Sequence, residues 1–84
     1  MNVERITRDD LDETLFFVNC NMEKLNQKKM GYSYIPGDRK GYCLKIQEKT
    51  GWEITGTDMT LKELWSYLQG INLGFLIAGQ GVQP

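Results

Sequence analysis

The sequence predicts an α+β domain with the element order helix, three antiparallel strands, helix (αβββα), and with both helices packed on one face of the sheet. An apolar stripe at helical spacing near each end of the chain predicts the helices. Two alternating runs joined by a short glycine-containing turn predict the strands between them. A chain of 84 residues has room for one domain. We therefore expect residues 1–84 to form a single domain, with 1–5 and 79–84 as flexible tails.

The first helix has a marked start. Thr7 can cap it, and Asp10 stands three residues later, where a capping box places its acidic residue. The stripe that follows steps by four and three residues and predicts the core-facing side of the helix: Leu11, Leu15, Val18, Met22 and Leu25. The stretch 27–30 carries two lysines before Gly31, and this pattern predicts the end of the helix there.

Three strands are predicted between the helices. A first strand over residues 32–35 ends at the turn pair Pro36-Gly37. The next two alternate between apolar and polar residues on either side of Gly51, which is typical of a hairpin. We expect the apolar members of the hairpin to share one buried face: Tyr42, Leu44, Ile46, Trp52 and Ile54.

The second helix repeats the capping pattern of the first, with Thr60 at the cap and Glu63 three residues later. Its core stripe is predicted to be Leu61, Leu64, Leu68, Ile71 and Phe75. Gly70 and Gly74 interrupt this stripe, and each weakens a helix by about 1 kcal/mol relative to alanine. We expect the helix to continue to about Ala78; a break at Gly70 followed by a strand over 75–78 is the alternative.

The composition bounds the function. Ten basic and eleven acidic residues give a formal net charge of −1, whereas a nucleic-acid-binding domain is normally basic, so nucleic acid is not an expected partner. The chain has no apolar run long enough to span a membrane and begins with charged residues, so we expect a cytoplasmic protein without a membrane partner. Histidine, the commonest general base and metal ligand, does not occur. We therefore expect no enzyme, no catalytic residues, no cofactor and no metal.

The two cysteines are expected to be reduced thiols, because both fall within regular elements of a chain without an export signal. Cys20 has no histidine to activate it as a nucleophile. Cys43 alternates out of phase with Leu44, so we expect it on the second face of the sheet and chemically inert. The acidic residues at the start of the first helix have oxygen atoms suited to a hard cation. Their place in a capping pattern favours compensation of the helix dipole instead.

Both helices also carry large or apolar side chains outside their core stripes. These residues are Phe16, Phe17 and Cys20 in the first helix, and Leu73, Leu76 and Ile77 in the second. A small fold that wraps both sides of each helix in its own core would account for them, and so would a contact surface. We hypothesise a non-catalytic protein-binding module that self-associates as a homodimer through these residues. The first-helix residues would extend the interface or stay available to another protein.

The order of elements resembles that of the double-stranded-RNA-binding domain, which implies nucleic-acid binding as the alternative function. That family reads RNA with a lysine-rich start to its last helix and a basic, histidine-bearing loop. Here the matching helix start, Thr60-Leu61-Lys62-Glu63-Leu64, has one lysine beside a glutamate, and the loop Pro36–Lys40 has no histidine. The similarity therefore covers the topology and not the residues that contact RNA.

The stretch from Gly41 to about Phe75 resembles small uncharacterised proteins of phages and prophages of Gram-positive bacteria. Those proteins often end in a strand hairpin followed by a pattern like Leu61-Lys62-Glu63-Leu64-Trp65-Ser66-Tyr67-Leu68-Gln69-Gly70-Ile71-Asn72. The resemblance implies a phage-encoded accessory protein in the host cytoplasm that binds and inhibits a host protein. It implies no particular functional residues.

Overall fold

The computed structural model describes residues 5–37 and 40–77. Its elements, in chain order, are α1 (Arg8–Lys24), β1 (Met30–Tyr34), β2 (Tyr42–Glu48), β3 (Gly51–Met59) and α2 (Leu61–Ile77). The strands form one antiparallel sheet in the order β1-β2-β3, and the helices pack against this sheet and against each other. The predicted αβββα fold is confirmed. Residues 1–4 and 78–84, which hold nearly all of the expected tails and Ala78, lie outside the described residues.

Both predicted capping boxes are present. The Thr7 hydroxyl accepts a hydrogen bond from the Asp10 N–H at 3.2 Å, and the Asp10 carboxylate accepts one from the Thr7 N–H at 2.9 Å. At α2, the Thr60 hydroxyl accepts from the Glu63 N–H at 3.1 Å, and Glu63 Oε1 accepts from the Thr60 N–H at 2.8 Å. The second helix continues past Gly70 to Ile77, so the helical interpretation of this segment is confirmed and the strand alternative is wrong.

The core lies between the helix pair and one face of the sheet. Its buried members come from both helices, β1 and β2: Leu11, Val18, Met30, Tyr42, Leu44, Leu64 and Leu68. Most other predicted stripe residues pack around this cluster and are partly buried, namely Leu15, Met22, Leu61 and Ile71. The apolar stripes therefore predicted correctly which side of each helix faces the core. Thr14 and Asn21 of α1 are buried as well, and the apolar pattern did not predict these two polar residues.

The first helix ends earlier than predicted, at Lys24 instead of within residues 27–30. Leu25 is the C-cap, and Asn26 follows it in the left-handed conformation with φ of 58°. The Asn26 N–H donates to the Glu23 carbonyl, and the Gln27 N–H donates to the Met22 carbonyl at 2.7 Å. This is a Schellman motif, in which asparagine takes the position usually given to glycine. The lysines after it consequently lie in the connection to β1.

The prediction that Trp52 and Ile54 share a buried face with Leu44 is wrong. The turn between β2 and β3 contains two residues, because Glu48 pairs with Gly51. Trp52 therefore stands opposite Gln47, and Ile54 stands opposite Lys45. Facing residues of an antiparallel pair point to the same side of a sheet, so Trp52 and Ile54 lie on the side away from the helices. Both are about half-exposed.

The sheet thus has a covered face and an open face. We use the name open sheet face for the surface away from the helices, formed at the hairpin end by Gly31, Lys45, Gln47, Trp52 and Ile54. Two register shifts in the β2–β3 pairing, between Tyr42 and Leu44 and between Leu44 and Lys45, follow further along. Beyond them Met59 stands opposite Tyr42 and packs against the core.

Candidate functional site

The predicted protein interface begins with two exposed phenylalanines on α1. Phe16 and Phe17 lie outside the core stripe, as the helical spacing predicted. Their rings contact each other edge to face, with centroids 5.7 Å apart and an interplanar angle of 71°. This arrangement is favourable for two aromatic rings. It leaves about half or more of each side chain accessible to a partner.

The outer side of α2 is the second part of the predicted interface. Gly70, Leu73 and Ile77 follow each other at spacings of three and four residues, so they form one stripe along the helix. Leu73 and Ile77 are exposed. A Cβ added at Gly70 or at Gly74 would meet no atom within 4 Å. The stripe therefore has apolar side chains beside a position where another backbone can approach closely.

Hydrogen bonds of Asn72 to two residues of α1 form a seam between the two helices. Asn72 Nδ2 donates to the Thr14 carbonyl, and Asn72 Oδ1 accepts from Asn21 Nδ2, both at 3.4 Å. Phe17 lies three residues after Thr14 and four before Asn21, so it stands on the same side of α1 as that pair. Leu76 lies four residues after Asn72 and is on its side of α2. Phe17 and Leu76 consequently border one seam.

We call this surface the helix patch and define it by five of the exposed large hydrophobic side chains on the two helices: Phe16, Phe17, Leu73, Leu76 and Ile77. Cys20, which was predicted with them, is only partly exposed and contributes less surface. Its thiol is free, as is that of Cys43. Cys43 is buried outside the core cluster, with Sγ 3.9 Å from the Gly41 carbonyl oxygen.

A polar network that the sequence did not predict fixes α1 on the covered face of the sheet. Arg8 Nε donates to the Tyr42 hydroxyl at 3.1 Å, and the guanidinium lies 5.4 Å from the centroid of the Tyr34 ring. This hydrogen bond raises the pKa of Arg8 above its ordinary value. The Tyr32 hydroxyl donates to Asp12 Oδ1 at 2.6 Å. Partial burial, helped by this carboxylate, raises the pKa of Tyr32 to about 12. Arg8 and Asp12 are four residues apart, so they lie on the same side of α1. This spacing was the signal from which the sequence could have predicted that both contact the same surface.

The acidic start of α1 is therefore occupied by structural contacts. Asp10 belongs to the capping box, and Asp12 accepts from Tyr32. Within residues 5–37 and 40–77, no three His, Cys, Asp or Glu side chains come together in a way that would hold a metal ion. These observations give no support to a cation site at the helix start.

The loop after β1 and the start of α2 are the regions that would contact RNA in a double-stranded-RNA-binding domain. In this chain they carry charges of both signs. Lys40 Nζ lies 3.6 Å from Glu63 Oε1, so the loop after β1 brings its lysine to a carboxylate at the start of α2. Asp38 and Arg39 of this loop lie outside the described residues. The described part of the loop and helix start therefore presents opposite charges side by side.

The open sheet face carries an exposed tryptophan that the sequence had assigned to the core. The Trp52 ring lies across the sheet above Gly31, where an added Cβ would stand 3.1 Å from ring atom Cζ3. Lys45 Nζ lies 5.2 Å from the ring centroid. The signal for this surface was the length of the hairpin turn, which decides the side on which Trp52 emerges.

A cleft of about 540 Å³ adjoins the same end of the hairpin. Its walls come from the β2–β3 turn and from the loop before β1: Lys28, Glu48, Lys49, Thr50, Gly51, Trp52 and Glu53. Lys28 and Glu48 form an ion pair across it at 2.7 Å. A cleft whose charges already neutralise each other has little residual field for a charged ligand.

Comparisons of the chain with protein-family models, curated proteins and solved structures found no match. In the part of the chain that the structure describes, no helix is long and apolar enough to cross a membrane. Function is therefore inferred from the two surfaces described above, the helix patch and the open sheet face.

Proposed function

We propose that the protein is a non-catalytic protein-binding module that self-associates through the helix patch as a two-fold homodimer. The observation that supports it is the exposure of five large apolar side chains, each 49–77% accessible, on two neighbouring helices. Scattered apolar residues are normal on a protein surface, whereas a contiguous patch usually marks an interaction site. The partner that we propose for this surface is a second copy of the chain.

The stripe of α2 gives this dimer its geometry. In a two-fold contact the same surface is used by both chains, so Leu73 and Ile77 of one copy would pack beside those of the other. Gly70 has no side chain and would let the two helices approach closely. Burying a large apolar side chain stabilises by at most about 1.5–3 kcal/mol. Because a small domain has only about 5 kcal/mol of net stability, such a contact would matter to the fold as well.

Phe16 and Phe17 form the end of the helix patch that lies on α1, outside the α2 stripe that would make the dimer contact. Phe16 and Phe17 are on α1, across the seam from the α2 stripe, and would flank the dimer contact or remain accessible beside it. Left accessible, they provide an aromatic anchor of the kind that dominates many protein interfaces. The resemblance to phage accessory proteins suggests a protein of the bacterial host as the occupant of this end.

The test is the oligomeric state of the purified protein, measured by sedimentation or light scattering at micromolar concentration. The wild type should be a dimer, and the double variant Leu73→Glu, Ile77→Glu should be a folded monomer, because it would bury charges in the contact. A matched control, Gln27→Glu with Thr57→Glu, adds the same two negative charges at exposed positions away from the helix patch and should remain dimeric.

A second variant separates the dimer contact from the fold of the monomer. Gly70→Gln adds bulk where the monomer leaves free space, and it replaces glycine by a better helix former. It should weaken dimerisation without lowering the stability of the monomer. A wild-type protein that sediments as a folded monomer contradicts the proposed dimer.

A further inference from the structure

We propose that the open sheet face is a second binding surface, which takes single-stranded nucleic acid by stacking a base on Trp52 and holding the backbone phosphates with lysines. This inference goes beyond the proposed function, because the open sheet face and the helix patch lie on opposite sides of the sheet. Three features support it: a fixed exposed aromatic ring, lysines on the same side of the sheet as that ring, and accessible flat surface beside it.

The first feature is the fixed position of the Trp52 ring. Its side chain is 47% exposed, although tryptophan has a large apolar surface. The ring tip occupies the space that the missing side chain of Gly31 leaves, with two ring atoms 3.1 and 3.2 Å from an added Cβ. The Lys45 ammonium, 5.2 Å from the centroid, adds a cation–π contact. An exposed ring held in place in this way is a platform on which a nucleobase can stack.

The second feature is the position of the nearby lysines. Lys45 lies on the open sheet face, in the pair opposite Ile54. The Lys29 carbonyl accepts from the Gln47 N–H at 2.9 Å, and Lys29 precedes Met30, which faces the core, so its side chain is expected on the open side. Lys49 stands in the adjoining turn. Lys45 therefore contacts the Trp52 ring, Lys49 lines the same cleft as the ring, and Lys29 lies in the segment bonded to Gln47.

The carboxylates of this hairpin are on the other side. Glu53 pairs with Ile46, whose side chain faces the core, so Glu53 is directed to the covered side. Glu48 follows Gln47 in β2, so its side chain points to the opposite, covered side of the sheet. Its carboxylate is ion-paired with Lys28 at 2.7 Å. Both carboxylates line the cleft at the hairpin end, which Lys49 and Trp52 also border, so we do not place phosphate in that cleft. The path for a nucleic-acid backbone crosses the open sheet face at Lys29 and Lys45.

The chemistry favours a single strand over a duplex. Duplex binding depends mainly on neutralising many phosphates, and a chain with a net charge of −1 and two lysines along the proposed path makes few such contacts. The bases of a duplex are also stacked on each other, whereas a single strand has free base faces for Trp52. The exposed Ile54 beside the ring extends the flat apolar surface on which a neighbouring base can rest.

The test is a titration of the full chain into a fluorescently labelled oligothymidylate of about ten nucleotides, followed by anisotropy at several salt concentrations. We expect binding whose logarithm falls with log salt at a slope of about −1.4 to −2, as two or three phosphate contacts require. Trp52→Leu should weaken binding by about 5- to 140-fold, the equivalent of one lost stacked base. Trp52→Phe, which keeps an aromatic ring, should retain most of the affinity.

Charge variants provide the matched controls. Lys45→Gln and Lys29→Gln should each reduce the salt slope by about 0.7, whereas Lys62→Gln, an exposed lysine on α2, should leave it unchanged. A duplex of the same length should not bind detectably at physiological salt. The double variant Leu73→Glu, Ile77→Glu should bind the oligonucleotide like the wild type, which separates this result from the outcome for the dimer. Thermal melting verifies that each variant is folded.

Three results would overturn the proposal. The first is no binding of the oligonucleotide at low salt. The second is equal affinity of folded Trp52→Leu and the wild type, because stacking would then contribute nothing. The third is a change of oligomeric state in Trp52→Leu without an effect on oligonucleotide binding, which would identify the open sheet face as a protein contact.

Discussion

The side-chain amide of Asn19 makes two hydrogen bonds to the backbone of Met30. Asn19 Nδ2 donates to the Met30 carbonyl at 2.9 Å, and the Met30 N–H donates to Asn19 Oδ1 at 2.8 Å. Met30 begins β1, an outer strand of the sheet. The preceding carbonyl, of Lys29, is bonded to β2, so the polar groups of Met30 face the free edge. Helix α1 thus supplies the bonds that a neighbouring strand would make, and it protects this part of the edge from pairing with another chain.

The variant Asn19→Ala should therefore destabilise the protein by about 1–3 kcal/mol, because it leaves a partly buried N–H and carbonyl without this partner. Urea denaturation, compared with the wild type, measures the change. Gln69→Ala is the matched control, since Gln69 is an exposed amide on α2, and its effect should stay within about 0.5 kcal/mol. An equally small effect at position 19 would show that the bonds to Met30 do not hold α1 to β1.

The capping box of α2 gives a second prediction. Thr60→Ala should cost about 0.5–2 kcal/mol, because it removes the acceptor of the Glu63 N–H. Ser66→Ala, in the exposed middle of α2, should not destabilise. Thermal melting distinguishes the two, since a loss of this size shifts the melting temperature of a small domain by several degrees. A Thr60→Ala protein that melts like the wild type would contradict the helix start seen here.

The same capping box has a pH dependence. The hydrogen bond from the Thr60 N–H, with a smaller contribution from Lys40, lowers the pKa of Glu63 below its ordinary value of 4.5. A carboxyl group with a lowered pKa in the folded state contributes stability above its unfolded pKa and loses it as the pH falls through the folded pKa. The difference in stability between Glu63→Gln and the wild type should consequently shrink below about pH 4.5.

The features that the sequence predicted correctly are those decided by neighbouring residues. The Thr7 and Thr60 boxes each join residues three positions apart, and their hydrogen bonds form within one helical turn. The core stripes of both helices follow from a period that any 11-residue window contains. The exposure of Phe16 and Leu73 follows from the same geometry, because a residue outside a narrow stripe points away from it.

The features that were missed depend on one residue of register or on contacts across the chain. A one-residue change in a hairpin turn moves every following side chain to the other face, so the alternation around Trp52 fitted either face equally well. Asn26 ends α1 in the left-handed conformation that glycine commonly provides. The sequence pattern pointed instead to Gly31, because glycine is the more usual residue at a helix end. The seam at Asn72 joins residues 51 and 58 positions apart, and no local pattern encodes such a pairing.

The last prediction concerns Tyr32 and alkaline pH. Partial burial is the main cause that raises its pKa from 10.0 to about 12, and the hydrogen bond to Asp12 adds to this effect. Between these two pH values the folded state keeps the proton that the unfolded state has lost. The contribution of Tyr32 to stability is therefore complete below about pH 10 and is lost as the pH rises through about 12.

We therefore expect Tyr32→Phe to be less stable than the wild type at neutral pH, by about 0.5–1.5 kcal/mol for the lost solvent-exposed hydrogen bond. The difference should stay constant to about pH 9 and then shrink between about pH 10 and about pH 12. Urea denaturation of both proteins across this range measures it, and deprotonation of lysines cancels because it is common to both. Tyr67→Phe, at an exposed position of α2, is the matched control for removing a tyrosine hydroxyl. A difference between Tyr32→Phe and the wild type that does not change up to pH 12 would contradict the raised pKa of Tyr32, and with it the partial burial and the bond to Asp12 that cause it.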